Sequence, residues 1–299
     1  MSHDVQDVHI GVEILPESSW PDLLGRFQRA EEMGFDSAWD CDHFVNPYAP
    51  DHDWFEGWTL LAAVAARTDR IRLGTLVTSA AFHNPAFLAR EALTVDHISN
   101  GRLIIGLGTG STHGDPSYPM TGIPDYTPAE RVSRLAESAV VVDKLLRDQE
   151  ATFAGRHYNI QGAQMWPRPV QRPRPQLLIA ALGPATIGVA ARYADIWNSY
   201  VPPQLTLDEG LALTRERSMQ LDKRCAAIGR DPAQITRSLL DFATYTRPYD
   251  SADQVRDLIE RYHVLGIREF IFYWPRDRKH EDTFERIFIE ALNQRRRNP

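Results

Sequence analysis

Short runs rich in β-branched and aromatic residues alternate with longer stretches whose apolar positions recur every three to four residues. The first run is Val8-His9-Ile10-Gly11-Val12-Glu13-Ile14. Ser18 or Ser19 then caps a helix with Pro21 in its first turn and Leu23, Leu24, Phe27 and Ala30 on one face, and Gly34 stops it. Phe35 to Trp39 reads as a second strand, Trp58 to Val64 as a helix and Ile71 to Val77 as a third strand. A helix over Pro85 to Ile98, a strand over Arg102 to Leu107 and a long helix over Pro128 to Leu146 follow. The next strand is Gln176 to Ala180, with its helix over Pro184 to Tyr193. A short strand at Asp195 to Trp197 precedes the helix from Leu207 to Ile228. Strands at Ile235 to Tyr245 and Ile267 to Phe272 close the series, with helices at Ala252 to His263 and Phe284 to Leu292.

Eight strands in strict alternation with eight helices predict a parallel sheet covered by helices, and at this length a closed (β/α)8 TIM barrel. The rhythm breaks at Ala151 to Pro175, where prolines crowd Trp166 to Pro175. This segment predicts a hairpin insertion before the fifth strand. No linker divides the chain, so residues 1–299 are expected to form a single domain.

Composition narrows the function. With 33 basic and 40 acidic side chains the net charge is −7, which argues against a nucleic-acid partner needing a basic footprint. The run Arg295-Arg296-Arg297 reads as a solvated helix end. Two distant cysteines, Cys41 and Cys225, make neither a disulfide framework nor a cysteine zinc site and suit a reducing cytoplasm. The first residues lack a basic and apolar leader, and the longest uncharged stretch, Leu73 to Ala89, falls short of the about 20 apolar residues that span a bilayer. The expectation is a soluble cytoplasmic protein without a membrane partner.

In a barrel, chemistry gathers at the C-terminal ends of the strands. After the second strand stands Trp39-Asp40-Cys41-Asp42-His43-Phe44. His43 there is either a proton donor, a role that imidazoles suit, or a loop histidine paired with an aspartate. Asp40, Asp42, His43, Asp51, His52 and Asp53 crowd one loop, but no metal-ligand spacing links them, and no metal is expected. The third strand continues through Thr78 and Ser79 toward Asn84-Pro85, a helix start. The glycines of Gly106-Leu107-Gly108-Thr109-Gly110 would let a ligand approach the backbone closely, without forming a dinucleotide fingerprint. Ala180-Ala181-Leu182-Gly183-Pro184-Ala185-Thr186 opens a helix whose N-terminus serves either as plain capping or as a phosphate site. Trp54, Phe55, Trp58, Phe82 and Trp166 are candidates for an aromatic substrate wall or for ordinary core packing.

Together these motifs resemble the luciferase-like monooxygenase superfamily, nearest to its branch of about 300 residues, many members of which use the deazaflavin coenzyme F420. The carrying residues are Gly34-Phe35-Asp36-Ser37-Ala38-Trp39, Asp42-His43-Phe44, Arg70-Ile71-Arg72-Leu73-Gly74-Thr75 and Asn84-Pro85. They continue with Asp96-His97-Ile98-Ser99-Asn100-Gly101-Arg102, Gly106 to Gly110, and Ala190-Ala191-Arg192-Tyr193-Ala194-Asp195-Ile196-Trp197. The match runs from about residue 8 to 200.

The resemblance implies a reduced deazaflavin, or alternatively FMN, bound at the C-terminal rim. It implies a non-proline cis peptide at Leu76–Val77 behind the ring system, Asp42 against the ring and His43 beside its reactive centre. It implies that Thr78, Thr109 and Gly110 line the cofactor channel and that Ala181, Leu182, Gly183 and Thr186 surround the phosphate. The position after Gly-Thr-Gly is Ser111, where the family's sugar-phosphate dehydrogenases carry a glutamate, which argues against sugar-phosphate oxidation. The implied activity is F420-dependent hydride transfer to or from a small organic substrate. The alternatives are an FMNH2-dependent monooxygenase served by a separate reductase, and a non-catalytic flavin-binding protein. A homo-oligomer is expected.

Overall fold

Strand β1 (His9–Glu13) pairs in parallel with β2 (Ser37–Asp42) on one side and with β10 (Ile267–Tyr273) on the other, so first and last strands close the sheet. The computed structural model describes residues 8–110, 115–246 and 248–297. Around the barrel the order continues from β2 to β3 (Arg72–Ser79), β4 (Leu103–Gly108), β7 (Gln176–Ala180), β8 (Ile196–Tyr200) and β9 (Thr236–Asp241). The insertion forms a separate antiparallel hairpin of β5 (Ala151–Ala154) and β6 (Asn159–Ala163), as the broken rhythm predicts.

The helices are α1 (Trp20–Met33), α2 (Gly57–Ala65), α3 (Pro85–Ile98), the short α4 (Ser117–Thr121) and α5 (Pro128–Arg147). They continue with α6 (Pro184–Tyr193), α7 (Leu207–Ala227), the single turn α8 (Ala243–Thr246), α9 (Ala252–His263) and α10 (Glu281–Arg297). Their starts follow the local chemistry. Ser19 accepts from the Asp22 amide ahead of α1, Asn84 from the Ala86 amide ahead of α3 and Ser251 from the Gln254 amide ahead of α9. Gly34, at φ 92°, ends α1 in the left-handed conformation that glycine adopts without strain.

Two apolar layers sandwich the sheet. Outside, Phe270 and Phe272 of β10 pack toward Phe284 and Phe288 of α10. Inside, Trp39, Ile104, Leu178, Ile196, Leu240, Ile271 and Tyr273 fill the lumen. Each such buried side chain stabilises the fold by about 1.5–3 kcal/mol. At the N-terminal end of the lumen Glu269 is buried, and desolvation lifts its carboxyl to about 7 despite contacts from Ser238 and Arg72.

Three local expectations need correction. β9 ends at Asp241 and not at Tyr245, because an Asp241 carboxylate oxygen accepts from the Ala243 amide and turns the chain into α8. β8 runs on to Tyr200, since Asn198 tolerates the lumen by donating to Ser238 Oγ at 2.9 Å. Arg295 is no solvated helix end. It donates to the Val8 carbonyl at 2.7 Å and to Asp36 at 3.1 Å, tying α10 to the barrel floor.

Candidate active site

β3 is the irregular strand of the barrel. Its register with β4 shifts between Gly74 and Thr78, and its register with β2 shifts between Asp40 and Asp42. The peptide Leu76–Val77 inside this bulge is cis. The glycines of β4 have their reason here. A Cβ at Gly106 would lie 1.8 Å from the Thr75 carbonyl oxygen, and one at Gly108 would lie 2.4 Å from Val77 Cγ2. They admit the neighbouring strand's bulge. Gly110 combines φ +82° with a Cβ position 2.4 Å from Ser79 Oγ, so both backbone and space require glycine.

Asp42 and His43 stand where β2 meets the rim, and each has one side-chain partner from another segment. Asp42 Oδ2 lies 2.7 Å from His83 Nε2, and both side chains are largely buried. Burial alone would lower the His83 pKa, but the hydrogen bond and charge of Asp42, with Glu91 and Glu56 behind them, raise it overall. His43 Nδ1 lies 3.3 Å from Asp115 Oδ2, while the Trp54 indole donates to the His43 carbonyl at 2.9 Å and sets its ring edge-on at 6.2 Å. With Nδ1 turned to a carboxylate, Nε2 is the nitrogen left to exchange a proton with a ligand.

Thr78 is fully buried. Its hydroxyl accepts from the Trp58 indole at 3.0 Å and shares a 2.7 Å hydrogen bond with Thr75, so it braces the bulge from behind. Leu76 and Val77 join the lumen cluster at its upper end, and Thr109 and Gly110 are half-buried beside them. Ala181 offers no free main-chain group, since its amide donates to the Asn198 carbonyl and its carbonyl accepts from the Trp197 indole. Leu182 and Gly183 lead into α6 and Thr186 lies in its first turn, all three half-buried. There the Thr186 hydroxyl bonds both peptide groups of Gly183. A Cβ at Gly183 would meet nothing within 4 Å, so space lies open before the helix N-terminus, where free N–H groups suit an anion. Ser111 lies outside the described residues.

The structure also brings forward groups the sequence reading did not assign. Glu13, at the C-terminal end of β1, is fully buried, and desolvation pushes its carboxyl up to about 8 against a hydrogen bond from Cys41. The Cys41 thiol donates to Glu13 Oε1 at 2.8 Å and also faces the Leu76 carbonyl at 3.9 Å. Glu13 Oε2 has no partner among the described residues. Asp40, buried without a hydrogen bond among them, is pushed well above the usual carboxylate range by burial and by the charges of Asp42, Glu13 and Glu56. One charged residue in an apolar strand was the available signal for Glu13. His83 carried none, because its partnership with Asp42 crosses from β2 to the loop before α3.

The candidate aromatic wall is dispersed. Trp58 is buried behind Thr78, Trp166 is 59% exposed on the insertion and Phe82 packs on Tyr118, leaving Trp54 as the member in contact with His43. The aromatic residues at the mouth are Tyr200, Phe242 and Tyr273. Among the described residues, no cluster of His, Cys, Asp and Glu side chains is arranged to hold a metal ion, and no helix is long and apolar enough to cross a membrane.

The sequence model of the luciferase-like monooxygenases matches residues 6–298. An F420-dependent glucose-6-phosphate dehydrogenase of Kineococcus radiotolerans is 30% identical over 276 residues, covering 85% of this chain and 78% of that protein. Its counterpart in Nakamurella multipartita is 35% identical over 293 residues, covering 82% and 84%. An F420-dependent secondary alcohol dehydrogenase, solved in complex with an F420-acetone adduct, superposes with a TM-score of 0.82 at 19% identity, over 96% of this chain and 98% of that one. The chain belongs to the luciferase-like monooxygenase family.

Proposed function

We propose that this chain is a coenzyme F420-dependent oxidoreductase that moves a hydride to or from a small organic substrate. The observation that carries the reading is the pair Asp42 and His43 at the end of β2, held by His83 at 2.7 Å and Asp115 at 3.3 Å beside the β3 bulge. The F420-dependent relatives support the choice of cofactor. The residues fit such a group: the Leu76–Val77 bulge backs the mouth, Thr109 and Gly110 border it, and the open N-terminus of α6 suits a phosphate. When bound, a deazaflavin supplies a carbon that gives or takes a hydride. Asp42 would orient its ring system. His43 would hold or release the coupled proton at Nε2, with Asp115 fixing the imidazole through Nδ1. The lumen cluster below would keep water from the reacting atoms. The substrate is a small molecule, and we extend the proposal to a homo-oligomer.

Replacing His43 by Ala tests the assignment. Turnover should fall about 10²- to 10⁴-fold while cofactor affinity stays within about twofold. An unchanged rate would remove His43 from the mechanism. Product formation that requires FMNH2 and oxygen, with none from reduced F420, would replace the proposal by a monooxygenase paired with a reductase.

A further inference from the structure

The upper lumen divides into two unlike halves. On one side β3 and β4 present the bulge at Leu76 and Val77 against glycines. On the other, four strands present one acid and three aromatic rings. Glu13 and Tyr273 are register partners on β1 and β10, so their side chains emerge on the same face, and Tyr273 is part of the lumen cluster. Phe242, one residue past β9, lies tilted at 5.0 Å from Tyr273 and edge-on at 5.2 Å from Tyr200 of β8. Tyr200 and Phe242 are half-buried, and both pack on the lumen cluster that also holds Leu76 and Val77. The aromatic arc and the proposed cofactor cradle therefore meet in one cluster at the upper end of the lumen.

We infer that the arc Glu13–Tyr273–Phe242–Tyr200 is the substrate subsite, and that it takes an uncharged compound with an apolar, preferably planar body and one hydrogen-bond acceptor, such as a neutral ketone or aldehyde. This rests on the reading above for the cofactor half of the mouth. The rings supply apolar contact area with little entropy to lose. Glu13 supplies a buried acidic anchor. Its Oε1 already receives the Cys41 thiol, and its fully buried Oε2 has no partner among the described residues. A neutral carboxyl there has one O–H to donate to a ligand, and burial keeps it neutral up to about pH 8.

A phosphorylated sugar fits poorly. The arc's side chains are one acid and three aromatic rings, so none of them offers a dianion a counter-charge. The nearby Arg217 is committed to Ser199 Oγ and the Tyr200 carbonyl, and Arg276 to Glu17 at 2.9 Å.

The test uses the full chain without cofactor, with acetophenone as probe, ethylbenzene as its acceptor-free analogue and glucose 6-phosphate as the contrasting ligand. Saturation-transfer NMR should show acetophenone bound and glucose 6-phosphate not. Phe242→Ala should weaken acetophenone at least tenfold, and the milder Phe242→Leu should weaken it less while keeping the wild-type melting curve. Glu13→Met should remove the preference for acetophenone over ethylbenzene. F420 affinity, measured separately, should stay within twofold in the Phe242 variants. Tighter binding of glucose 6-phosphate, or unchanged acetophenone affinity in Phe242→Ala, overturns the subsite. If F420 fails to bind while acetophenone still depends on Phe242, the subsite stands and the cofactor reading falls.

Discussion

Replacing Glu13 by Gln isolates the energetic consequence of burying an acid at the mouth of the barrel. An unfolded chain releases the Glu13 proton near 4.5, whereas the folded chain keeps it to about 8. The folded state therefore binds more protons between these values, and its stability falls as pH rises through that window. Below 4.5 the group has no such effect. Above about 8 the full difference applies, about 5 kcal/mol at 1.36 kcal/mol for each tenfold step in proton affinity. Gln carries no titrating proton and keeps an oxygen to accept the Cys41 thiol, so whatever its amide costs is independent of pH. Glu269 is common to both chains and cancels. Urea unfolding of both proteins at pH 5 and pH 8.5 should show the stability of Glu13→Gln rising relative to wild type by about 4 kcal/mol across the interval. A difference that stays constant with pH would mean that Glu13 is ionised in the fold or reached by water, and the neutral donor at the mouth would be lost.

Gly108→Ala should cost about 1–3 kcal/mol in thermal or urea unfolding, because its Cβ would sit 2.4 Å from Val77 Cγ2 and push the bulge aside. Gly183→Ala should leave stability within about 0.5 kcal/mol, since its Cβ meets nothing, yet weaken F420 by crowding the phosphate; unchanged affinity would move the phosphate elsewhere. His83 should titrate above 6.5 by NMR and move downward in Asp42→Asn, where only the charges of Glu91 and Glu56 still oppose burial. Its stabilising contribution is complete below 6.5 and disappears as pH rises through the raised value, so a wild-type His83 titrating below 6.5 would contradict the Asp42 pairing.

Much of the fold is legible along the chain because each βα unit carries its own punctuation. Ser19, Asn84 and Gly34 mark helix ends by local hydrogen bonding and left-handed geometry, and the prolines of the insertion stop the alternation. Boundaries set by tertiary contacts are less visible. β8 extends through Asn198 and Ser199, whose polarity looks unlike a strand until Ser238 is placed opposite. The same division holds at the site. Asp42 and His43 are conspicuous as neighbours at a strand end. The glycines of β4 are conspicuous too, but their reason lies in Thr75 and Val77 of β3, a packing relation that spacing does not reveal. The arc of Tyr200, Phe242 and Tyr273 comes from three strands far apart in sequence and becomes one surface only when the barrel closes.

The most direct test of the central proposal is an anaerobic fluorescence titration of the purified chain with coenzyme F420 and, separately, with FMN. The account expects F420 to bind at least tenfold more tightly than FMN. Preference for FMN would turn the chemistry toward oxygen and a partner reductase, and binding of neither would leave the mouth of the barrel without its cofactor.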